Sequence, residues 1–259
     1  MRLALERWGE EGRPLAVLVH GVTASSRTWW RGGPWFARAG WRVVAVDLRG
    51  HGKSPRAMQG LGLKDLADDL HKTVVALLEH GESVDVLLGH SLGALAALEL
   101  CREHGGLVER LVLEEPPGSE SIDFGEIAHG IEADVARARE APEAHKREQL
   151  EENSSWSEGY AVANVESLRD CDAGPVAATI RNGLHYDLTT LVESVEIPTL
   201  LVLGSEARGS ALLEPERTVV ADALRRGAVK TFDAGHGVHR DDFEGYVRLL
   251  NNWFNSTKA

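Results

Sequence analysis

Five short, almost uninterrupted apolar runs constrain the fold of this chain more than any other feature of its sequence. The runs cover residues 15–21, 41–48, 84–90, 110–116 and 199–205. A continuous apolar run of this length is typical of a strand that is covered on both faces, as in a parallel sheet. Residues 228–234 predict a last strand, and the alternating residues 2–8 predict an edge strand near the beginning.

Helical patterns fall between these predicted strands, at residues 63–80, 92–104, 214–226 and 242–254. Strands that alternate with helices predict an α/β fold with a mostly parallel, doubly wound sheet and right-handed crossovers. In such a sheet we expect the functional site at the carboxyl ends of the strands.

One long segment interrupts the alternation. Residues 118–193 contain no strand pattern but are charged and rich in Ala and Glu, with breaks at Pro142 and at Gly174-Pro175. We therefore predict a core formed by residues 1–117 and 194–259, with residues 118–193 inserted as a helical cap. Its charged runs are expected to be solvated helix faces.

Composition limits the classes of partner. The formal net charge of -12 and the pI near 5.4 disfavour nucleic acid or an anionic membrane as a partner, because like charges repel. The sequence contains no apolar stretch long enough to span a bilayer and no signal-peptide pattern at its start, which predicts a cytoplasmic protein. Cys101 and Cys171 lack the spacing of a metal site or a disulfide scaffold. Nothing in the sequence predicts the oligomeric state.

A possible nucleophile lies where one apolar run meets a helical pattern. Gly89-His90-Ser91-Leu92-Gly93 fits the pattern G-x-S-x-G between a strand and a helix. A sharp turn there needs small flanking residues and holds the Ser91 hydroxyl at the sheet edge. We predict that Ser91 is a nucleophile; the alternative is a simple turn into a helix.

A serine nucleophile requires a general base and donors for the oxyanion. His236 follows the predicted last strand in a glycine-flanked loop and is the predicted base, whereas His239 is a loop or helix-cap candidate. The backbone N–H groups of Leu92 and Val22 are the predicted oxyanion donors. His20 is then a residue that stabilises its loop.

With these motifs in place, the chain resembles the α/β-hydrolase superfamily over nearly its full length. "HGVTASSRTW", "DLRGHGKS", "GHSLG" and "GHGVHRDD" occur in the order and spacing of that superfamily. The resemblance implies an eight-stranded sheet, here shortened at the N-terminus, a cap between strands six and seven, and Ser-acid-His chemistry. It also implies that "DLRGHGKS", which contains His51, is a structural turn.

The acid departs from the usual pattern. Superfamily members typically carry it three residues beyond a glycine at the end of strand seven, but Ala207 stands at that distance from Gly204. Glu115, 24 positions after Ser91, resembles the acid of zearalenone-type lactone hydrolases. We favour Glu115 over Glu206, which is one residue short of the usual position; Glu114 and Glu115 as supporting carboxylates are the alternative.

These residues predict hydrolysis of a carboxylic ester or lactone through an acyl-enzyme, with no metal or organic cofactor. A serine nucleophile argues against haloalkane dehalogenase or epoxide hydrolase chemistry. A carbon–carbon bond hydrolase, or a slow-turnover ligand-binding receptor on the same scaffold, remains an alternative. The substrate pocket has five aromatic or histidine candidates in the cap, each equally expected in the cap core: Phe124, Trp156, Tyr160, His185 and Tyr186.

Overall fold

A computed structural model describes residues 1–120 and 122–257 and contains one seven-stranded sheet. The strands are β1 (Leu5–Trp8), β2 (Leu15–Val19), β3 (Arg42–Val46), β4 (Val84–His90), β5 (Leu111–Glu114), β6 (Thr199–Leu203) and β7 (Gly227–Thr231). All seven lie within or next to the runs that the sequence predicts as strands.

The strand order is β1-β3-β2-β4-β5-β6-β7. Strand β1 pairs antiparallel with β3 at one edge, and every other neighbouring pair is parallel. The predicted mostly parallel α/β-hydrolase sheet is therefore confirmed. The described residues form seven of the eight strands that the resemblance implies.

Eleven helices surround the sheet within the described part of the chain. They are α1 (Gly32–Arg38), α2 (Leu63–Val75), α3 (Leu92–Glu103), α4 (Phe124–Glu140), α5 (Pro142–Glu152), α6 (Glu158–Arg169), α7 (Ala173–Ala178), α8 (Leu188–Glu193), α9 (Glu216–Ala223), α10 (Val238–Asp241) and α11 (Phe243–Ser256). Helix α2 ends five residues before the predicted end at 80, and α1 has no counterpart among the predictions. Its sequence, GGPWFAR, begins with loop-forming residues, and the burial of Phe36 in the core favours the helix instead.

Both faces of the sheet are covered, as a doubly wound fold requires. One face packs against α2 and α3, through side chains such as Leu66 and Leu95. The other packs against α1 and α11, where Phe36, Trp41 and Phe254 form a cluster of aromatic rings. The five central strands β2 to β6 consequently have both faces buried, as their continuous apolar sequences predict.

Helices α4 to α8 lie between β5 and β6 in sequence and correspond to the predicted cap. They contact the core through polar bonds: the Ser25 and Ser167 hydroxyls lie 2.6 Å apart, and Arg27 binds Asp170 at 2.7 Å. The division into a core and a cap domain at residues 118 and 193 stays a prediction.

The structure also describes the two cysteines and the apolar character of the helices. Cys101 and Cys171 are both buried free thiols. Among the residues that the structure describes, no helix combines the length and the apolar character needed to cross a bilayer.

Candidate active site

The turn at Ser91 has the strained backbone that its sequence predicts. Ser91 adopts φ 53° and ψ -120°, a conformation that L-residues rarely adopt, between the end of β4 and the start of α3. Its N–H donates to the carbonyl of Glu114 on the neighbouring strand at 2.9 Å. The serine is therefore fixed at the carboxyl edge of the sheet.

The two flanking glycines allow strand and helix to approach closely. A Cβ atom on Gly89 would lie 2.3 Å from the carbonyl oxygen of Gly93, and one on Gly93 would lie 2.5 Å from that of Val19. No side chain fits at these distances. This agrees with the sequence prediction that small residues flank the turn.

Glu115 and His236 come together at the same edge. Oε2 of Glu115 lies 3.1 Å from Nδ1 of His236. The Glu115 side chain is fully buried and also accepts hydrogen bonds from the Gly204 and Ala211 N–H groups and from the Ser210 hydroxyl, at 2.6, 2.7 and 2.8 Å. These bonds hold the carboxylate in a fixed position beside His236.

The backbone of Glu115 also departs from a regular strand. Its φ is 50°, so the chain turns sharply one residue after β5 ends at Glu114. Consecutive residues of a regular strand point to opposite faces. The turn lets both glutamates reach the loop that carries His236 and His239. No local signal in the sequence predicts this conformation.

Glu206, the alternative acid, lies elsewhere. Its carboxylate accepts a hydrogen bond from the Glu214 N–H at 2.8 Å in an exposed turn. No hydrogen bond joins it to His236 within residues 1–120 and 122–257. The geometry at His236 therefore involves Glu115 and not Glu206.

A second buried Glu-His pair adjoins the first and was not predicted from the sequence. Both Glu114 carboxylate oxygens lie 2.8 Å from Nδ1 of His239, whose backbone N–H also donates to Glu114 at 2.9 Å. The His239 ring stacks on Trp29 with centroids 4.6 Å apart. Two adjacent glutamates followed by two histidines three positions apart are the signal that could have suggested it.

Burial determines the charge state of this second pair. Burial lowers the pKa of His239, so the ring is neutral near pH 7. Burial also raises the pKa of Glu114, but the hydrogen bonds that it accepts from His239 and the positive charge of Arg240 outweigh this effect and leave the pKa below its ordinary value. The pair therefore consists of a carboxylate and a neutral imidazole that donates through Nδ1.

His90 connects the turn at Ser91 to the loop that carries His236. Its Nε2 donates to the carbonyl of His236 at 2.8 Å, and the two rings lie 4.9 Å apart between centroids. Burial holds the pKa of His90 well below its ordinary value, so it is a neutral donor. His236 is thereby held beside the residue that precedes Ser91.

The Ser91 hydroxyl and the His236 ring are not hydrogen-bonded in this structure. No such bond occurs between them in the described part of the chain, although the Ser91 side chain is buried and that of His236 is 38% exposed. Hydrogen bonds between nucleophile and base are often long in free enzymes and tighten when substrate binds. Catalysis would require the two side chains to come within hydrogen-bonding distance.

Two backbone N–H groups adjoin Ser91. Across the described residues, neither the Val22 nor the Leu92 N–H donates to a protein acceptor. A Cβ on Gly21 would lie 3.0 Å from that of Ser91, so the loop carrying Val22 adjoins the serine. Free N–H groups in this arrangement can stabilise an oxyanion.

The histidines set aside as bases have structural roles. His20 accepts from the Leu48 N–H through Nε2 at 3.0 Å, so its Nδ1 donates to the Gly21 carbonyl at 2.7 Å. Nε2 of His51 accepts from the Thr23 N–H at 3.3 Å. Burial lowers the pKa of His20, and it lowers that of His51 to about 3. Both rings hold loops in their neutral forms.

The pocket candidates in the cap divide into two groups. Trp156 lines a cavity beside His236, and the Tyr160 hydroxyl donates to the His239 carbonyl at 3.1 Å. Phe124 and Tyr186 pack edge to face against each other and do not line that cavity. His185 is exposed.

The mostly parallel sheet and the strained turn at Ser91 agree with one class of protein. The chain belongs to the alpha/beta hydrolase fold family, whose model matches residues 14–162, more than half of its length.

Individual relatives differ in activity and in extent of similarity. A 2-(acetamidomethylene)succinate hydrolase from Mesorhizobium japonicum is 27% identical over 75% of this chain and 72% of its own. The dihydrolipoyllysine-residue acetyltransferase component of an acetoin cleaving system from Pseudomonas putida is 43% identical, but the match spans only 37% of this chain and 26% of that relative. The crystal structure of N-formylmaleamic acid deformylase from Pseudomonas putida S16 superposes with a TM-score of 0.79, at 21% identity, over 96% of this chain and 95% of that one.

Proposed function

We propose that this protein is a serine hydrolase that cleaves a carboxylic ester or lactone through Ser91, His236 and Glu115. The observation that carries the proposal is the 3.1 Å contact between Glu115 and His236, on the sheet edge where Ser91 occupies a strained turn. Nucleophile, base and acid thus come from three separate segments of the chain.

The tautomer of His236 suits the base role. Because the Glu115 side chain accepts from Nδ1–H, Nε2 keeps its lone pair for the Ser91 proton. Ser91 Oγ then attacks the carbonyl carbon, and the oxyanion accepts hydrogen bonds from the N–H groups of Val22 and Leu92.

Collapse of this tetrahedral intermediate breaks the bond to the leaving alkoxide, which takes the proton from His236 Nε2. Water then attacks the acyl-enzyme while His236 removes its proton. Collapse of this second tetrahedral intermediate breaks the bond between the acyl carbon and Ser91 Oγ, His236 returns the proton to Oγ, and the acid product leaves. Each step uses groups of this chain, substrate and water.

A panel of p-nitrophenyl esters and lactones, assayed with wild type and Ser91→Ala, tests the proposal. Because one relative's name contains an acetamido group, the panel includes amides. We expect ester or lactone hydrolysis that falls at least about 10³-fold in Ser91→Ala, since loss of a triad member removes nucleophilic catalysis. Equal turnover by both proteins, or turnover of amides alone, would contradict it.

A further inference from the structure

A cavity of about 440 Å³ lies beside His236, between the cap and the core. The cap contributes Trp156 and the exposed Glu152, and the core contributes Arg208, Arg240 and Asp241. This volume is in the range of small-molecule sites. His236 therefore borders a space that can hold part of a substrate.

Arg240 is the unusual residue of this cavity. Its side chain folds back over Gly237, where a Cβ would lie 2.9 Å from Arg240 Cδ, and its guanidinium carbon lies 5.3 Å from the centroid of the Trp156 ring. Nε makes a 3.4 Å contact to Nε2 of His239. In the described chain, its two terminal nitrogens donate to no protein group.

The carboxylates near Arg240 are engaged with other groups. Asp241 accepts from the Gly235 N–H, the Ser155 hydroxyl and the Trp156 indole at 2.6, 2.8 and 3.1 Å. Glu114 is bound to His239. Neither carboxylate, nor any other among the described residues, is within ion-pairing distance of Arg240.

The charge of Arg240 is therefore poorly compensated. The group is partly buried, and burial lowers its pKa, although Glu114 and Asp241 attract it at longer range. Keeping a guanidinium in such surroundings costs free energy unless an anion binds it. The planar fork of arginine matches a carboxylate, with which it can form two parallel hydrogen bonds.

We propose further that Arg240 binds a carboxylate of the substrate in this cavity, so that the preferred ester or lactone carries a negative charge. This inference rests on the proposed function. Arg208 also lines the cavity and is a second donor. Its side chain is 42% exposed and has a single weak ion pair in the described chain, at 3.9 Å to the exposed Asp233.

A matched pair of substrates tests the charge preference. Wild type should hydrolyse p-nitrophenyl hydrogen glutarate with a higher kcat/KM than neutral p-nitrophenyl valerate. In Arg240→Gln we expect the ratio of the two kcat/KM values to fall about 10- to 100-fold, the effect of losing a charge-assisted hydrogen bond. Arg240→Lys keeps the charge without the fork and should give an intermediate ratio.

Arg7→Gln is the matched control, because Arg7 is exposed on β1, at one edge of the sheet. Arg240 follows β7, which forms the opposite edge. It should leave the ratio as in wild type. An Arg240→Gln protein that loses activity equally on both esters would overturn the proposal and assign Arg240 a role through His239. A wild-type preference for the valerate ester would overturn it too, while leaving the serine hydrolase intact.

Binding of glutarate separates this inference from the proposed function. By calorimetry, we expect wild type and Arg7→Gln to bind glutarate and Arg240→Gln to bind it at least about 10-fold more weakly. This result is expected even if no ester is turned over, in which case only the proposed function fails. Absence of glutarate binding by wild type would overturn the inference.

Discussion

Oε2 of Glu115 lies 3.1 Å from Nδ1 of His236, although 121 positions separate the two residues in the chain. The contact joins the end of β5 to the loop after β7. It explains how the chain can orient a histidine at the sheet edge without a carboxylate at position 207, the usual place in the superfamily it resembles.

The first prediction concerns the acid. Glu115→Gln removes the negative charge that orients His236 and stabilises its protonated form, so kcat should fall by about 10³-fold or more. Glu206→Gln, in an exposed turn, should change kcat little. Steady-state kinetics on the best substrate of the panel measures both, and the opposite ranking would reassign the acid to Glu206.

The second prediction concerns the close approach of β2 and α3. Gly93→Ala places a Cβ 2.5 Å from the Val19 carbonyl oxygen, so the free energy of unfolding should fall by about 2 kcal/mol or more. Gly130→Ala is the control, because a Cβ there meets nothing within 4 Å and should stabilise α4 by about 0.5–1 kcal/mol. Urea denaturation compares them; a Gly93→Ala protein as stable as wild type would contradict the packing argument.

The third prediction concerns the stability that the Glu114–His239 pair contributes. Glu114→Gln replaces the carboxylate that accepts three contacts from His239 with an amide. The free energy of unfolding should therefore fall by about 2 kcal/mol. Glu206→Gln serves as the exposed control. If Glu114→Gln unfolds at the same urea concentration as wild type, the buried pair contributes no stability.

The fourth prediction concerns acid sensitivity. The folded-state pKa of His51 is about 3, below the ordinary value of 6.5, so the unfolded chain binds a proton that the folded protein does not. This contribution to stability is complete above pH 6.5 and falls by about 1.4 kcal/mol per pH unit as the pH drops from there toward 3.

Urea denaturation of wild type and His51→Asn between pH 7.5 and pH 5 measures this contribution. The variant should lose stability less steeply with decreasing pH, because one titrating group has been removed. An identical slope in both proteins would show that His51 is not held neutral by the fold.

The sequence by itself determined the features that are encoded locally. Continuous apolar runs identified the five central strands. The glycines around Ser91 indicated a sharp turn, because a strand-to-helix turn places its steric requirements on adjacent residues. The positions of Ser91, Glu115 and His236 after predicted parallel strands sufficed to place them at one edge, since the carboxyl ends of parallel strands meet there.

Only the tertiary structure decided the features that depend on contacts between distant segments. The left-handed backbone of Glu115 leaves no local pattern, nor does the guanidinium of Arg240, which has no ion-pair partner among the described residues. The Glu114–His239 pair joins residues that are 125 positions apart in the chain. Helix α1 formed against its loop-like sequence because Phe36 is buried in the core. The free energies of burial and of pairing in the interior depend on the whole fold, and a local sequence pattern does not contain them.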